Sequence, residues 1–527
     1  MQQESIFKSW VPNWAIIAIL IFCMMHCMVV LGVYTSNSTY SASYLDVEPE
    51  DLQFTFSISY GVFLATIMIE SRLFKFFPTK SYFLTIYSLM AICFMISGYT
   101  RNFSVFLILR IVEGVLMALP WLPLRQLLIT RFTSKNAVIV GFSFNYGSLL
   151  VASPFIMTIV VWFLDAYEWR YMAYGAAVFQ ILCVVTVMVT FTNKRFTKKI
   201  PLYQIDWASY ILSITAILSG CFVFIYGEKK YWFDSSEIII GIIVTTIAGG
   251  LFLMRQLTMK RPALDLNIFR YRNLRIAIIL FVILYISRAT LNLVNSAMSV
   301  IWNWEPARVA NVQYINVLGN VIGLVIAGVC LAKAVSVRKI FILGFSIFAV
   351  FHIWFTFLFL PDVSVMDIAI PYLLQGVAVG VLFVPMVLFT VSSVPTKYAP
   401  YSGLMGVAGR FWGSTIGFCI MQNAGVYLRQ THFTKLRQFV LSESPETQQR
   451  LATLTQSFLG KGYSQDDAYK LAVKQVIASV TKQSTLLANM EIFTWVGYFL
   501  LALALFLMFN NHLIKTVNIF KNRIWGS

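Results

Sequence analysis

Charged residues are scarce in this sequence of 527 residues, of which Asp, Glu, Lys and Arg together make up 12%. A soluble domain carries roughly 25% charged residues, so a soluble globular protein is excluded. Intrinsic disorder is excluded as well, because the chain is 59% hydrophobic and contains 45 Phe, 25 Tyr and 13 Trp, whereas disordered chains are poor in aromatic residues. This composition is typical of a polytopic membrane protein.

Several chemical signals are also missing. All seven cysteines lie inside apolar runs, and no two of them form a C-x-x-C pair. They are Cys23, Cys27, Cys93, Cys183, Cys221, Cys330 and Cys419. We therefore expect neither a disulfide framework nor a metal site. No P-loop is present, so ATP is not expected as the direct energy source. The first apolar run is too long for a cleavable signal peptide. We expect no enzyme activity and no bound cofactor.

Fourteen apolar runs follow one another, each close to the about 20 residues that a membrane-spanning helix needs. We call them spans 1 to 14. They lie at about 14–35, 53–71, 82–99, 104–124, 137–163, 171–192, 207–227, 238–254, 276–299, 311–332, 340–360, 368–391, 401–427 and 488–510. The sequence therefore predicts an all-α polytopic membrane protein with fourteen transmembrane helices.

Lysine and arginine are divided unequally between the two sides of the membrane. With the N-terminus inside, the inside segments hold 24 of them and the short outside loops hold 5. Because Lys and Arg concentrate on the cytoplasmic side, we predict that both termini are cytoplasmic. The net charge of +18 is then an insertion signal, and nucleic-acid binding is not expected.

The chain repeats itself at a distance of roughly 260 residues. Lys75 and Lys333 occupy matching loops, after spans 2 and 10. Glu113-Gly114 in span 4 precedes Pro123 by the same spacing with which Gln375-Gly376 in span 12 precedes Pro385. Two parallel six-helix halves are predicted, at 1–192 and 276–527, with spans 7 and 8 inserted in a linker at 193–275. Such halves are typical of transporters whose substrate site lies at mid-membrane between them.

Several motifs resemble the fourteen-span drug:proton antiporter branch of the major facilitator superfamily, and within it the EmrB type of Gram-negative bacteria. Arg110-Ile-Val-Glu113-Gly114 is similar to the fourth-span motif R-x-x-Q-G. The links around the inserted pair and the start of span 14 also resemble this branch, at Ile205–Trp207, Tyr231–Ile238, Arg261–Asn273 and Asn489–Phe493.

This resemblance implies the major facilitator fold in a bacterial inner membrane. It implies export of small amphipathic compounds by alternating access, driven by inward proton flow. In the EmrB type, a periplasmic adaptor protein and an outer-membrane channel complete the route, so both are possible partners here.

The chain also departs from the family pattern. The family carries an acid in span 1, near the position of Leu31, and span 1 here has none. The span 5 motif G-P-x-x-G-G survives only around Pro154, and the loop Ser71–Pro78 has lost its glycines and its Asp. These losses conflict with the standard form of proton coupling.

Charges inside the spans must face a partner or a water-filled cavity, since each costs about 2.5–3.5 kcal/mol at the bilayer centre. Arg110 and Glu113 share one helix face. Either they are a self-neutralising pair that packs span 4, or Glu113 replaces the missing span 1 acid as proton carrier. Glu491 is a further acid, with an interfacial structural role as the alternative. Arg288 and Arg410 are cavity candidates, and a cavity arginine favours an anionic or zwitterionic substrate.

Aromatic side chains in spans expected to face the cavity are candidates for substrate contact, with core packing as the alternative. They are Trp121, Phe142, Tyr146, Tyr314, Phe383, Phe411 and Trp412. Residues that interrupt helical hydrogen bonding, or allow close packing, are candidates for gating or bending. They are Gly114, Pro123, Pro154 and Pro385.

One long loop, at 428–487, is predicted to be helical and periplasmic. Ser444-Pro445 is typical of a helix start, and Ser464 with Asp467 is typical of a second one. The segment is either a docking surface or lid, or a simple extension of spans 13 and 14. Taken together, we expect a secondary active exporter. The alternatives are a dedicated metabolite or lipid exporter without standard proton coupling, and a non-transporting scaffold or sensor.

Overall fold

The computed structural model describes residues 6–36, 38–133, 136–196, 199–440 and 444–510. Both termini lie outside the described residues, as do five of the basic residues that predicted the orientation. These are Lys135, Lys198, Lys515, Lys521 and Arg523.

The prediction of an all-α fold with fourteen spans is confirmed. Within the described residues, fourteen helices are long and apolar enough to cross a membrane: Asn13–Gly32, Pro49–Phe76, Thr79–Tyr99, Phe103–Ile129, Ala137–Ala166, Arg170–Thr190, Trp207–Tyr226, Ser236–Thr258, Arg272–Ile301, Pro306–Ala332, Val337–Thr356, Val365–Ser392, Thr396–Arg437 and Gln465–Phe509. The α-helices Ser38–Leu45 and Pro445–Leu459 lie in the loops after spans 1 and 13.

Polar residues fix where several spans begin. The Asn102 side chain accepts hydrogen bonds from the backbone N–H of Ser104 at 2.9 Å and Val105 at 3.3 Å, which caps span 4. At span 12, Ser364 and Asp367 form a reciprocal capping box. These contacts satisfy N–H groups that a helix start leaves unpaired.

The packing of the spans follows the repeat. In the first half span 2 packs on span 4 and span 3 on span 6, while in the second half span 10 packs on span 12 and span 11 on span 14. Span 5 contacts span 10, and span 2 contacts span 13. Since span 2 corresponds to span 10 and span 5 to span 13, these two contacts between the halves are equivalent, and span 5 also contacts span 12. The chain thus forms two parallel six-helix halves plus an inserted pair.

Two glycines that the repeat relates make the same close contact. A Cβ atom on Gly114 would lie 2.6 Å from the Ser59 carbonyl oxygen in span 2, and one on Gly376 would lie 2.2 Å from the Asn316 carbonyl oxygen in span 10. Neither distance is sterically allowed, so only glycine lets these helices approach so closely.

A hydrogen bond beside each glycine is repeated too. Ser59 Oγ donates to the Arg110 carbonyl oxygen at 2.9 Å. In the second half, Asn316 Nδ2 donates to the Tyr372 carbonyl oxygen at 2.9 Å. Arg110 and Tyr372 each lie four residues before the close-packed glycine, so the repeat holds at the level of single contacts.

The inserted spans 7 and 8 pack on each other, and span 7 also packs on spans 2 and 13. Arg255 in span 8 donates to both carboxylate oxygens of Asp206, with Nε 3.0 Å from each. Partial burial alone would raise the pKa of Asp206, but hydrogen bonds from Arg255 and Ser209 outweigh it and hold that pKa below its ordinary value. This ion pair ties the two inserted spans together outside the membrane core.

The long loop contains both predicted features. Ser444 Oγ accepts from the Thr447 N–H at 3.3 Å and starts the helix Pro445–Leu459. Ser464 Oγ accepts from the Asp467 N–H at 3.2 Å and starts the last helix. That helix runs unbroken through span 14, so it begins 23 residues before the apolar run at 488–510. With about 1.5 Å rise per residue, its 45 residues reach about 68 Å, well beyond a membrane core of about 30 Å.

Candidate transport site between the two halves

Arg410 lies at the centre of the contact between the halves. It is in span 13, is 6% exposed, and its Nε donates to the Gly406 carbonyl oxygen of its own helix at 3.1 Å. The guanidinium lies 5.4 Å from the ring centre of Tyr146 in the first half, and 5.6 and 5.5 Å from those of Phe281 and Phe383 in the second. The cation is therefore held by aromatic rings from both halves.

Further rings extend this cluster into the first half. Tyr146 lies 5.0 Å from Phe383 across the contact between the halves, 6.0 Å from Phe142 and 6.3 Å from Trp121. The Trp121 side chain is buried, and its indole N–H has no hydrogen-bond partner among the residues that the structure describes. An unpaired donor inside an aromatic cluster is available to a ligand, because buried polar groups are normally hydrogen-bonded.

Phe411 makes a second aromatic contact between the halves. Its ring lies 5.3 Å from that of Tyr60 in span 2, in an edge-to-face arrangement. Gly61 leaves the room for it, since a Cβ there would lie 3.2 Å from Phe411 Cζ. Arg410 and Phe411 thus engage spans 5 and 2 from neighbouring positions of one helix.

Two more arginines adjoin the cluster. The Arg288 guanidinium lies 5.2 Å from the ring centre of Tyr285, which in turn is 6.4 Å from Phe383. The Arg125 guanidinium lies 5.5 Å from the ring centre of Phe142. Each arginine is therefore joined through one aromatic ring to the residues around Arg410.

Four members of this arrangement were missed in the sequence. They are Tyr60, Arg125, Phe281 and Tyr285. Arg125 follows directly after an apolar run and was counted as a loop residue. The apolar residues Leu127–Ile129 that follow it, inside the same helix, were the signal that could have placed it in span 4.

Two predicted cavity residues lie elsewhere. A Cβ on Gly220 in span 7 would lie 2.9 Å from the Trp412 ring, so Trp412 packs against the inserted pair. The Tyr314 hydroxyl lies 2.8 Å from Thr158 Oγ1. That hydrogen bond joins span 10 to span 5, between the halves but outside the cluster around Arg410.

Arg110 and Glu113 form an ion pair that is buried within the first half. Arg110 also donates to the Val30 carbonyl oxygen at 3.0 Å, and Ser97 Oγ donates to Glu113 Oε1 at 3.2 Å. The guanidinium lies 5.3 Å from the Tyr34 ring centre. The pair therefore faces spans 1 and 3 and not the cluster between the halves.

Glu491 is separate from both groups. It lies 3.0 Å from His432 Nε2 and joins span 14 to span 13, with its side chain 38% exposed. Glu70, in span 2, is buried, and its Oε1 has no hydrogen-bond partner.

The remaining predicted residues lie in helices or at their ends. Pro123, Pro154 and Pro385 all lie inside continuous helices. Lys75 is in the last turn of the span 2 helix, and Lys333 follows the end of span 10. Among the described residues, no group of three or more His, Cys, Asp or Glu side chains is placed to hold a metal ion.

Bacterial multidrug exporters are among the proteins similar to this chain. It is 24% identical over 419 residues to the multidrug export protein EmrB of Escherichia coli K12, covering 77% of this chain and 78% of that one. It is 24% identical over 445 residues to EmrB of Haemophilus influenzae, covering 82% and 83%. Over 189 residues it is 30% identical to the lincomycin resistance protein LmrB of Listeria monocytogenes, covering 35% and 38%.

Solved transporter structures share the fold. A POT family transporter in complex with 5-aminolevulinic acid superposes with a TM-score of 0.56 at 12% identity, covering 93% of this chain and 96% of that one. The model of the Major Facilitator Superfamily matches residues 16–417. Together with the fourteen spans and the repeated halves, this match shows that the chain is a membrane transporter and belongs to the Major Facilitator Superfamily.

Proposed function

We propose that this protein exports small amphipathic compounds across the bacterial inner membrane by alternating access. The observation that carries the proposal is the cluster around Arg410, in which rings from both halves meet a buried cation. Such a place can bind a compound that has both an aromatic body and a polar group.

Alternating access is supported by the two equivalent contacts between the halves. Spans 5 and 10 form one, and spans 2 and 13 form the other. When one half rocks against the other, the cluster between them opens to one side and then to the other. The similarity to EmrB proteins supports export as the direction.

Energy coupling has two candidate forms. In the first, Glu113 carries protons inward in exchange for substrate, with Arg110 controlling its charge and Glu491 as a second candidate acid. In the second, export needs no proton carrier in the spans. The contacts of Glu113 favour the second form, because its carboxylate is paired with Arg110, accepts from Ser97 and lies away from the cluster.

The orientation, the domain limits and the partners belong to the same proposal. Both termini are cytoplasmic, which puts the helix Pro445–Leu459 in the periplasm. The two halves occupy 1–192 and 276–527, with the linker at 193–275. The helices at 428–487 are a docking surface for a periplasmic adaptor, which would in turn meet an outer-membrane channel.

Dye accumulation in cells that lack their own efflux pumps tests the proposal. Cells that express this protein should hold less of some amphipathic dye than cells that express an Arg410→Gln, Trp121→Ala variant at the same level. An unchanged dye level over a broad panel, with protein confirmed in the membrane, would favour a scaffold or sensor instead.

A further inference from the structure

Of the three arginines in and beside the cluster around Arg410, Arg125 has the buried Glu70 in its neighbourhood, whereas Arg288 and Arg410 have no ion-pair partner among the described residues. Among the described residues, no carboxylate lies within 4 Å of the side-chain nitrogens of Arg125, Arg288 or Arg410. Glu113 is paired with Arg110 and Glu491 with His432.

Burial makes this imbalance costly. An unpaired charge in a membrane interior costs several kcal/mol, and Arg410 is 6% exposed with one hydrogen bond to its own helix. Contact with three aromatic rings offsets part of this cost. The remaining cost makes the site receptive to a negative charge, which would supply the missing counter-ion.

The three arginines lie at different depths. Counted from the ends of their helices on one side of the membrane, Arg125 is four residues in, Arg410 fourteen and Arg288 sixteen. At about 1.5 Å per residue these depths are about 6, 21 and 24 Å. An anion entering from that side would first meet Arg125, with Glu70 nearby, and then the unpaired charges of Arg410 and Arg288.

The aromatic rings beside Arg410 can contact the neutral part of a ligand. Arg410 contacts the rings of Tyr146 and Phe383, and Tyr146 in turn contacts Trp121, whose indole N–H is unpaired within the described residues. Tyr146 and Phe383 are in contact with each other, so an aromatic body would stack on one of these rings when the halves move apart, and the indole N–H would donate to an anionic oxygen.

We propose that the substrates are amphipathic anions, aromatic compounds that carry a carboxylate, sulfonate or similar group, and that Arg410 binds this group. The inference rests on the proposed export function and specifies its substrate class. Lipophilic cations are disfavoured, because they would lie beside unbalanced positive charge.

Two probes with the same aromatic skeleton separate the effect of charge from that of shape. Anilinonaphthalenesulfonate is an anion, and phenylnaphthylamine is the same molecule without the sulfonate. Ethidium serves as the cation. Uptake into inside-out membrane vesicles is measured by filtration and mass spectrometry, so that dye fluorescence in lipid does not interfere.

The sulfonate should accumulate above vesicles without the protein, whereas the amine and ethidium should not. Arg410→Gln should lower sulfonate uptake by at least about tenfold, the typical worth of a hydrogen bond to a charged group. Arg410→Lys should retain part of it. Arg261→Gln, which changes an exposed arginine in the loop between spans 8 and 9, should match the wild type.

Other results would overturn one proposal or the other. Uptake of the amine or ethidium equal to that of the sulfonate, or unchanged uptake in Arg410→Gln, leaves export standing and refutes the anion inference. If no probe accumulates, export fails, and equilibrium binding of the sulfonate to the purified protein decides the substrate class. Binding that Arg410→Gln abolishes supports an anion site, and binding that it leaves unchanged refutes one.

Discussion

Replacing Glu113 by Gln tests whether the buried ion pair in span 4 stabilises the fold or carries protons. The substitution keeps the shape of the side chain and removes the charge that balances Arg110. Because both side chains are buried and the carboxylate faces Arg110 and Ser97, we expect a loss of stability and little change in transport by the protein that folds.

The size of the loss follows from the contacts that remain. Removing one partner of a buried ion pair costs about 3–5 kcal/mol. The Gln side chain keeps an oxygen that can accept from Arg110, and the Val30 carbonyl oxygen at 3.0 Å also remains. We therefore expect a loss near the lower limit, about 3 kcal/mol.

Two measurements on the same preparation separate the roles. Stability is followed by thermal unfolding in detergent, and proton movement by a pH-sensitive dye in proteoliposomes during substrate export. Arg110→Met combined with Glu113→Gln removes both charges and should recover part of the stability, because apolar replacement of a buried pair is often neutral. Glu491→Gln is the matched acid control, since its partially exposed pair with His432 should contribute little to stability.

A stable Glu113→Gln protein that binds substrate but no longer couples export to protons would refute this reasoning and identify Glu113 as the carrier. Loss of coupling in Glu491→Gln alone would move the role to that residue.

Further predictions concern the packing, the linker, the contact between the halves and the long loop. Gly376→Ala should destabilise the protein more than Gly114→Ala, because its Cβ would lie 2.2 rather than 2.6 Å from a carbonyl oxygen. Gly250→Ala is the control: a Cβ there has nothing within 4 Å, so the thermal unfolding temperature should be unchanged or raised. Asp206→Asn should lower the free energy of unfolding at neutral pH. Since the pKa of Asp206 is lowered in the fold, the stability that its charge contributes to the wild type should disappear as the pH falls through that lowered pKa. A difference in unfolding free energy between wild type and variant that does not shrink in acid would contradict this. Thr158→Cys combined with Tyr314→Cys, joined by a short bifunctional thiol reagent, should stop export until the link is reduced, whereas each single variant should be unaffected by the reagent. Deleting 440–480 should leave the protein inserted but lower export out of intact cells more than uptake into inside-out vesicles, and equal losses in both assays would argue against adaptor docking.

Features that depend on neighbouring residues could be predicted from the sequence. The helix caps at Ser444 and Ser464 each depend only on a serine hydroxyl and the backbone N–H three residues later, and both caps are present. The fourteen spans follow from run length alone. The last helix begins before the apolar run of span 14, because the helix continues beyond the membrane. Hydropathy does not distinguish helix from loop in that part of the chain.

Features that depend on packing between helices were only partly predictable. Phe411 and Trp412 are adjacent, yet Phe411 contacts Tyr60 in span 2 and Trp412 contacts Gly220 in span 7. Successive residues of a helix point about 100° apart, so Phe411 and Trp412 face different helices. Which of the two faces span 7 depends on where the inserted pair packs. The sequence identified a group of aromatic candidates but not the ones that meet at the cleft.

The missing acid in span 1 and the unpaired charges of Arg288 and Arg410 have a common explanation if the substrate is an anion. One elementary charge crossing the membrane is worth about 2.3 kcal/mol per 100 mV, which corresponds to a concentration ratio of about fifty. A cell that is negative inside therefore drives an anion outward without any proton carrier. An exporter of cations has no such help and needs a carboxylate, both to bind its substrate and to exchange it for a proton. Arg410 among its aromatic rings, with Glu113 held by Arg110 away from that cluster, leaves an unpaired positive charge at the place where an outward-moving anion is proposed to bind.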